Sequence, residues 1–326
     1  MLTCLAHIRT VQLIRELVEP HPLDFDWRYD QPTVAHLSSL LRGRGPILAL
    51  GAPSVARALE MEGEPVQLID RQPYQLVTNH WVAEIDVQLR LPIARSNVAI
   101  ADPPWYPGDF LDWAIVASRS VGVGHTAYIS IWPDSTRPSA GTERRSLFDA
   151  VRSWAHVVEH EAVLHYEMPR FERGAIALGG RSQLSTSPRV GSLLELRVLR
   201  TPPPIRHRIQ REAWIRFVFD SYQLAIRLGN PASGDSEISP HPYAKGWKWP
   251  YVSARAPEVG QIGLWSSRGE GATVRNPLPL VKTLQTVVSS CTSATFEAAL
   301  AMYPMLLDWG IPRPPYVRTL EWRHQQ

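Results

Sequence analysis

The sequence predicts an α/β protein built on a mainly parallel β-sheet. Short apolar runs alternate with helical patterns along much of the chain. One such run ends in a glycine that is followed by a helix, a second apolar run and an acid. Another, Val98 to Ala101, stops at Asp102-Pro103-Pro104. Because proline cannot continue a strand ladder, we expect the Asp102 carboxylate at the carboxyl end of its strand, where open α/β sheets bind ligands.

A helical lead-in is predicted for residues 1–42. Its first helix is indicated by apolar residues at helical spacing from Val11 to Val18, and Pro20 and Pro22 interrupt it. A second short helix is expected over 34–41.

The predicted sheet domain, residues 43–200, begins with a strand–helix–strand unit. A buried strand over 46–51 ends in Gly51, a helix over 54–61 follows, and a second strand ends in Asp70. Asp70 follows Gly51 by 19 residues, close to the spacing of the acid that binds a ribose hydroxyl in nucleotide-binding βαβ units. Gly51 would let a cofactor approach the backbone.

Further strands bring the predicted total to eight, which suits a seven-stranded sheet whose last strands form an antiparallel hairpin. We predict strands and helices in the order strand 81–87 with Asp86 near its end, strand 98–101, helix 110–119, strand 127–132, helix 143–159, and strands 163–168, 174–178 and 193–199. Residues 179–188 are small and polar and indicate a loop.

The stretch Asp102-Pro103-Pro104-Trp105 resembles the Asp-Pro-Pro-Trp signature of the adenine-N6 methyltransferases, which use S-adenosylmethionine (SAM). The resemblance implies a Rossmann-like class I methyltransferase sheet over residues 46 to about 200. It also implies that Asp102 and the carbonyl of Pro103 accept hydrogen bonds from the adenine amine, while Pro104 stiffens the turn. Trp105 or Tyr106 would stack on the base. The alternative is a turn that only terminates a strand.

The same resemblance implies SAM as the cofactor, held by Gly51 and Asp70, with Asp86 close to its adenine. Family members usually carry several glycines after the first strand, whereas Gly51-Ala52-Pro53-Ser54 contains one. A methyltransferase-like pseudoenzyme serving as a binding or scaffold subunit therefore stays open. The order of the two motifs is that of general class I enzymes and of one DNA-methyltransferase subgroup, and is opposite to that of the messenger-RNA adenosine methyltransferases.

The C-terminal region, residues 205–326, is predicted to be α+β and to serve in substrate recognition or as a cap. Thr201–Pro204 is the expected linker, followed by a helix over 212–228, turns and short strands over 229–279, and helices over 280–288 and 295–307. Residues 241–251 mix aromatic side chains with two lysines. Lys245 and Trp247 are our candidates for substrate binding, and a half-buried hairpin is the alternative.

Composition narrows the possible functions. The net charge of +3 permits binding to nucleic acid without requiring it. Two cysteines make no disulfide framework and no metal cluster. His156 to His160 matches the His-x-x-Glu-His pattern of inverted zinc proteases, but it falls in a predicted helix with no third ligand, so we favour a solvated helix end and expect no metal.

No apolar run is long enough to span a membrane, and the start lacks a signal-peptide core, so we expect a soluble, cytoplasmic protein with no membrane partner. The sequence thus predicts a SAM-dependent N-methyltransferase acting on adenine N6 in DNA or RNA. A pseudoenzyme and a small-molecule amine methyltransferase are the alternatives.

Overall fold

The computed structural model describes residues 18–24, 27–71, 77–82, 95–179, 189–204, 214–229, 234–253, 256, 258–316 and 319–323. The chain divides into two compact units. The parallel-sheet unit comprises Trp27–Glu167 and Pro188–Ile209. The antiparallel unit comprises Met1–Asp26, Met168–Ser187 and Gln210–Gln326.

The parallel-sheet unit alternates strands and helices along the chain. Its elements are α1 (Gln31–Leu41), β1 (Ile47–Leu50), α2 (Pro53–Met61), β2 (Val66–Asp70), β3 (His80–Val82), β4 (Val98–Ala101), α3 (Pro107–Val121), β5 (Thr126–Ile131), α4 (Ala140–Arg152), β6 (Ala155–Tyr166) and β7 (Arg189–Val198). The strands form a seven-stranded sheet in the order β3-β2-β1-β4-β5-β7-β6. Strands β1 to β5 run parallel, and β7 is antiparallel to both β5 and β6. The predicted fold class and the antiparallel final pair are confirmed.

Burial on both faces explains why the central strands are apolar throughout. Every residue of β1 and of β4 is buried, as expected for parallel strands covered by helices. On one face, Phe110 and Ala114 of α3 pack into the same core as Leu50 of β1 and Ala101 of β4. The two strands and α3 therefore share one core.

The predicted helix over 143–159 is wrong in its second half. Helix α4 ends at Arg152, and the chain then enters β6. Strand β6 pairs with β7 from Ala155 opposite Val198 to Tyr166 opposite Arg189, with a register shift between His160 and Val163. A partner that lies more than twenty residues away along the chain leaves no signal in local periodicity. The predicted strand over 174–178 is also wrong, because those residues belong to helix α5 (Arg170–Leu178).

The antiparallel unit is organised around a second sheet. Besides α5 it contains β8 (Trp214–Phe219), β9 (Tyr222–Arg227), β10 (Glu237–Pro240), β11 (Leu264–Ser266), β12 (Gly271–Arg275), α6 (Pro277–Ser290), α7 (Ser293–Met302), α8 (Met305–Asp308) and β13 (Thr319–Arg323). The six strands are arranged in the order β10-β12-β11-β9-β8-β13. The helices that were predicted over 280–288 and 295–307 correspond to α6, α7 and α8.

The predicted helix over 212–228 is wrong, because its described residues from Trp214 to Arg227 form the β8–β9 hairpin. All six residues of β8 are buried. A strand buried on both faces shows a continuous apolar run that hydrophobic periodicity cannot distinguish from a buried helix. The aromatic and β-branched composition of the run was the available strand signal.

The segment 18–24 belongs to the antiparallel unit through a buried ion pair. The two terminal guanidinium nitrogens of Arg216, Nη1 and Nη2, donate to the Asp24 carboxylate at 2.5 and 2.9 Å. The Arg216 side chain is 1% exposed and that of Asp24 is 3% exposed. Residues 1–17 of the predicted lead-in lie outside the described residues, and α1 lies in the parallel-sheet unit.

Candidate functional site

Four residues form a row along the carboxyl edge of the parallel strands. The last paired residue of β1, Leu50, lies opposite Ile69 of β2 and Ala101 of β4, and Ala101 lies opposite Ile129 of β5. The next residues along these four strands therefore lie at the same level of the sheet. They are Asp70, Gly51, Asp102 and Ser130. Neighbouring strands are about 4.8 Å apart. The sheet thus brings together three residues that the sequence predicted for the site, and it adds Ser130.

Two hydroxyl groups hold the Asp102 carboxylate. The hydroxyls of Ser130 and Tyr166 both donate to Oδ1 of Asp102, the Tyr166 bond measuring 2.9 Å. Asp102 is half-buried. A carboxylate oxygen that accepts two hydrogen bonds is fixed in orientation before any ligand arrives.

The backbone before α1 adds a second tyrosine to this cluster. Asp30 N donates to His165 O at 3.0 Å, and Glu167 N donates to Arg28 O at 2.8 Å, so Tyr29 lies directly beside Tyr166. The two rings are 4.8 Å apart between centroids.

Burial controls the protonation of both tyrosines. It raises the pKa of Tyr29 and of Tyr166 well above the ordinary value, and the negative charge of Asp102 raises both pKa values further. Both phenols therefore keep their protons at neutral pH. Tyr166 consequently acts as a hydrogen-bond donor to Asp102.

The prolines produce a short connection from β4 to α3. Pro103 is buried, Tyr106 N donates to Pro104 O at 2.7 Å, and α3 begins directly afterwards at Pro107. Within the described residues, no donor contacts the carbonyl of Pro103. Asp102 and this carbonyl are therefore two acceptors on consecutive residues.

Trp105 and Tyr166 form an aromatic wall beside Asp102. The Trp105 ring meets the Tyr166 ring edge to face, with centroids 5.6 Å apart and planes at 87°. A Cβ added at Gly191 would lie 3.4 Å from Trp105 and 3.2 Å from the Ile131 carbonyl, so this glycine makes room for the wall. The Arg189 guanidinium lies 5.1 Å from the Trp105 ring centroid. Trp105 and Tyr106 are both partly exposed.

Gly51 is required by its backbone and by a neighbouring indole. Its φ is +59°, and a Cβ at this position would lie 2.5 Å from Trp113 Cζ3 and 3.1 Å from Asp102 O. Trp113, on α3, thus packs against the loop that the sequence assigned to the cofactor. Asp70 is half-buried at the end of β2, and Asp86 lies outside the described residues.

Lys245 and Trp247, the two substrate-binding candidates in the antiparallel unit, both contact other residues of that unit. Lys245 Nζ donates to the Leu178 carbonyl at the end of α5 at 2.6 Å. Trp247 packs edge to face on Trp309 with centroids 5.9 Å apart. The exposed aromatic residues of this stretch are instead Tyr243 and Tyr251, at 44% and 40%.

His156 and His160 lie on β6 and not on a helix, so the geometry expected from the zinc-protease pattern does not form. His160 Nε2 lies 2.9 Å from a carboxylate oxygen of Glu195. In the described part of the chain, His, Cys, Asp and Glu side chains form no group of three or more that could hold a metal ion. The described helices also include none with the length and apolarity to span a membrane.

The residues that complete the site beyond the predicted ones are Ser130, Tyr166, Tyr29, Gly191 and Arg189. Only Ser130 carried a usable signal, as a single polar residue within the apolar run of β5. The others reach the site through strand pairings that connect distant parts of the sequence.

No family model matches the chain, and no curated protein matches it significantly by sequence. A solved structure of a branched-chain polyamine synthase mutein from Thermus thermophilus, in complex with N4-aminopropylspermidine and 5′-methylthioadenosine, superposes with a TM-score of 0.50 at 15% identity, covering 64% of this chain and 67% of that one. A 16S rRNA N2 methyltransferase from T. thermophilus, in complex with AdoMet and guanosine, gives a TM-score of 0.33 at 12% identity, covering 61% of this chain and 46% of that one. The parallel-sheet unit has the Rossmann-like fold of class I methyltransferases.

Proposed function

We propose that this chain is a SAM-dependent N-methyltransferase whose acceptor is the N6 amine of adenine in DNA or RNA. The observation that supports it most directly is the row of residues at the carboxyl edge of the sheet. An oriented carboxylate, Asp102, stands one strand from Gly51 and two strands from Asp70. An amine acceptor and a nucleoside cofactor would therefore meet at one edge.

The chemistry explains why two adjacent acceptors are useful. The exocyclic amine of adenine is a poor nucleophile because its lone pair is delocalised into the ring. When the Asp102 carboxylate and the Pro103 carbonyl accept hydrogen bonds from the two N–H groups of this amine, its nitrogen can pyramidalise toward the sulfonium methyl. When bound, SAM would supply an electrophilic methyl group on a sulfonium that becomes a neutral thioether on transfer. Asp102 and Pro103 would hold the amine that takes this methyl group, and the amine would then release one proton to solvent.

Tyr166 and Ser130 support this role by orienting Asp102. Because both hydroxyls donate to Oδ1, this oxygen is held in place before the substrate binds. A preorganised acceptor costs little reorganisation when the substrate binds.

The residues at the strand ends fit the nucleoside half of SAM. The Asp70 carboxylate suits a pair of ribose hydroxyls, and the positive φ of Gly51 allows the backbone to approach a ligand closely. These residues would hold the cofactor, which supplies the sulfonium methyl group. If the acceptor adenine lies in duplex DNA, the base must be flipped out of the helix to reach Asp102.

The deciding experiment replaces Asp102 and follows methyl transfer from labelled SAM to an adenine-containing oligonucleotide. Asp102→Ala should abolish transfer. Asp102→Asn keeps one oxygen acceptor and the shape of the side chain, so it should retain a low but measurable rate of methyl transfer. Asp149→Asn, which removes an exposed carboxylate on α4, is the matched control and should be fully active. Full activity of a folded Asp102→Ala variant would overturn the proposal.

A pseudoenzyme that serves as a scaffold subunit is favoured by one observation. The loop after β1 has a single glycine, and the Trp113 indole already packs against it. Calorimetry with SAM separates the two functions, because an enzyme must bind the cofactor at micromolar to millimolar concentrations and a scaffold need not bind it.

Amine alkylation of a polyamine is a further candidate, motivated by the ligands of the T. thermophilus polyamine synthase. Those ligands are an alkylated amine and a thioether nucleoside. The same two kinds of product would form if the Asp102 carboxylate held a polyamine amine during alkylation. Mass spectrometry of spermidine incubated with the protein and SAM or decarboxylated SAM tests this candidate.

A further inference from the structure

Two tyrosines lie at the surface of the antiparallel unit. Tyr243 and Tyr251 are 44% and 40% exposed, and in the described part of the chain no other Phe, Trp or Tyr side chain is exposed. An aromatic ring left in solvent forgoes much of the stabilisation that its burial would give. Two such rings in one short stretch are typical of a binding surface.

The chain builds the same three-residue unit twice in this stretch. Each unit consists of a buried ring, a proline and an exposed tyrosine, in His241-Pro242-Tyr243 and in Trp249-Pro250-Tyr251. His241 and Trp249 are 1% and 2% exposed, and their ring centroids lie 4.6 Å apart. Tyr243 packs on His241 at 5.9 Å between centroids, and Tyr251 packs on Trp249 at 5.4 Å. The four rings therefore form one row with a tyrosine at each end.

Backbone contacts hold this row in place before a ligand arrives. Nδ1 of His241 accepts from Tyr243 N at 3.2 Å, and Nε2 lies 3.1 Å from the Glu258 carbonyl. Trp249 N donates to Gly269 O at 2.8 Å. The proline before each tyrosine has a fixed φ. Rings held in this way lose little conformational entropy when a ligand binds.

Charge favours nucleic acid as the ligand. Residues 238–257 contain no Asp or Glu and three cationic residues, which are Lys245, Lys248 and Arg255. The exposed Lys245 donates to the Leu178 carbonyl, a contact that leaves its charge in place, whereas Lys248 pairs with Glu270. Bases can stack on exposed tyrosines while a positive surface attracts phosphates. A proline-rich peptide would use the rings but would gain nothing from the charge.

We propose that Tyr243 and Tyr251 form a platform on which two unpaired bases of single-stranded nucleic acid stack. The platform lies in the antiparallel unit, whereas Asp102 lies in the parallel-sheet unit. The inference therefore goes beyond the proposed function and does not require methyl transfer at Asp102.

Binding to an oligothymidylate tests the platform separately from the candidate active site. The probe is a fluorescently labelled single strand of about 12 thymidines, whose bases carry no exocyclic amine, and its binding is followed by fluorescence anisotropy. Tyr243→Ala and Tyr251→Ala should each weaken binding by about fivefold or more, because a base–aromatic stack is lost. Leu307→Ala removes an exposed apolar side chain from α8 in the same unit and should bind like the wild type.

Two further substitutions separate stacking from a general apolar contact. Tyr243→Phe keeps the ring and should bind within about twofold of the wild type. Tyr243→Leu keeps an apolar side chain without a π-face and should behave like Tyr243→Ala. The same pair of changes applies at Tyr251. If an alanine variant does not fold, as judged by circular dichroism, the leucine variant carries the comparison.

The outcomes distinguish this inference from the proposed function. Weaker binding in the alanine and leucine variants, with binding retained in the phenylalanine variants, supports the platform even if no methyl group is transferred to adenine. No binding of the oligothymidylate, equal binding by the alanine variants, or an equal loss on phenylalanine substitution would overturn it, even if methyl transfer is observed. Tyrosine-dependent binding of a proline-rich peptide, with none of the oligothymidylate, would also overturn it.

Discussion

The Tyr166 hydroxyl donates to Oδ1 of Asp102 across 2.9 Å, although the two residues are 64 positions apart in the chain. Tyr166 ends β6 at one edge of the sheet, and Asp102 follows β4 near its centre. The bond therefore depends on the antiparallel pairing of β6 with β7 and on the pairing of β7 with β5. It makes the far edge of the sheet part of the candidate site.

Replacing Tyr166 by Phe should lower activity without unfolding the protein. The change removes one hydrogen bond to a charged group and keeps the ring that packs on Trp105 and Tyr29. We expect kcat/KM for methyl transfer to fall by about 10- to 100-fold, with SAM affinity within about twofold of the wild type. Steady-state kinetics and calorimetry measure the two quantities. Unchanged kcat/KM would mean that Ser130 alone orients Asp102.

The two buried tyrosines also predict how stability depends on pH. Their pKa values are raised in the folded protein, whereas the unfolded chain releases these protons near the ordinary value of 10.0. Their contribution to stability is therefore complete below pH 10 and is lost as the pH rises above it toward the folded pKa values. Thermal unfolding between pH 8 and pH 11 should show a steep alkaline decline in Tm. Tyr166→Phe should decline less steeply, and an equal slope would contradict this account.

The positions of Gly51, Asp70 and Asp102 at the strand ends could be predicted from the sequence because the relevant rules are local. An apolar run that stops at prolines places Asp102 at a strand end, and the spacing from Gly51 to Asp70 defines a βαβ unit. The carboxyl ends of parallel strands share one edge, so these residues meet. Trp105 was predicted to stack on a base, which stays a prediction; the structure shows its ring edge to face against Tyr166.

The site residues and the hairpin that could not be predicted from the sequence depend on strand register and on burial. Ser130 reaches Asp102 only because β5 pairs with β4, and Arg189 reaches Trp105 only because β7 pairs with β5. Register cannot be derived from periodicity within one segment. The hairpin of β8 and β9 was mistaken for a helix because strands buried on both faces lose the alternation that identifies them.

Removing one partner of the buried Arg216–Asp24 pair should destabilise the antiparallel unit strongly. Asp24→Ala would leave the Arg216 guanidinium, only 1% exposed, without its carboxylate. We expect a loss of about 3–5 kcal/mol in the free energy of unfolding, measured by urea titration. Glu237→Gln, which breaks a pair whose side chains are 78% and 69% exposed, is the control and should cost less than about 1 kcal/mol. Equal effects of the two substitutions would contradict the role assigned to burial.

A double-mutant cycle at Gly51 and Trp113 decides why position 51 is glycine. Gly51→Ala introduces a left-handed backbone strain of about 1–2 kcal/mol and a clash with the indole of about 1–3 kcal/mol. Trp113→Ala should remove the clash. In the Trp113→Ala background, Gly51→Ala should therefore lower the free energy of unfolding by the backbone strain alone, as measured by urea titration.

SAM affinity in the same variants separates packing from cofactor binding. If the cofactor also borders the space that a Cβ at Gly51 would enter, the double variant should bind SAM at least about tenfold more weakly than Trp113→Ala alone, because the added methyl group would collide with the ligand. Calorimetry on the four proteins of the cycle measures this difference. Equal SAM affinity in Trp113→Ala and the double variant would show that the glycine serves the indole and not the cofactor.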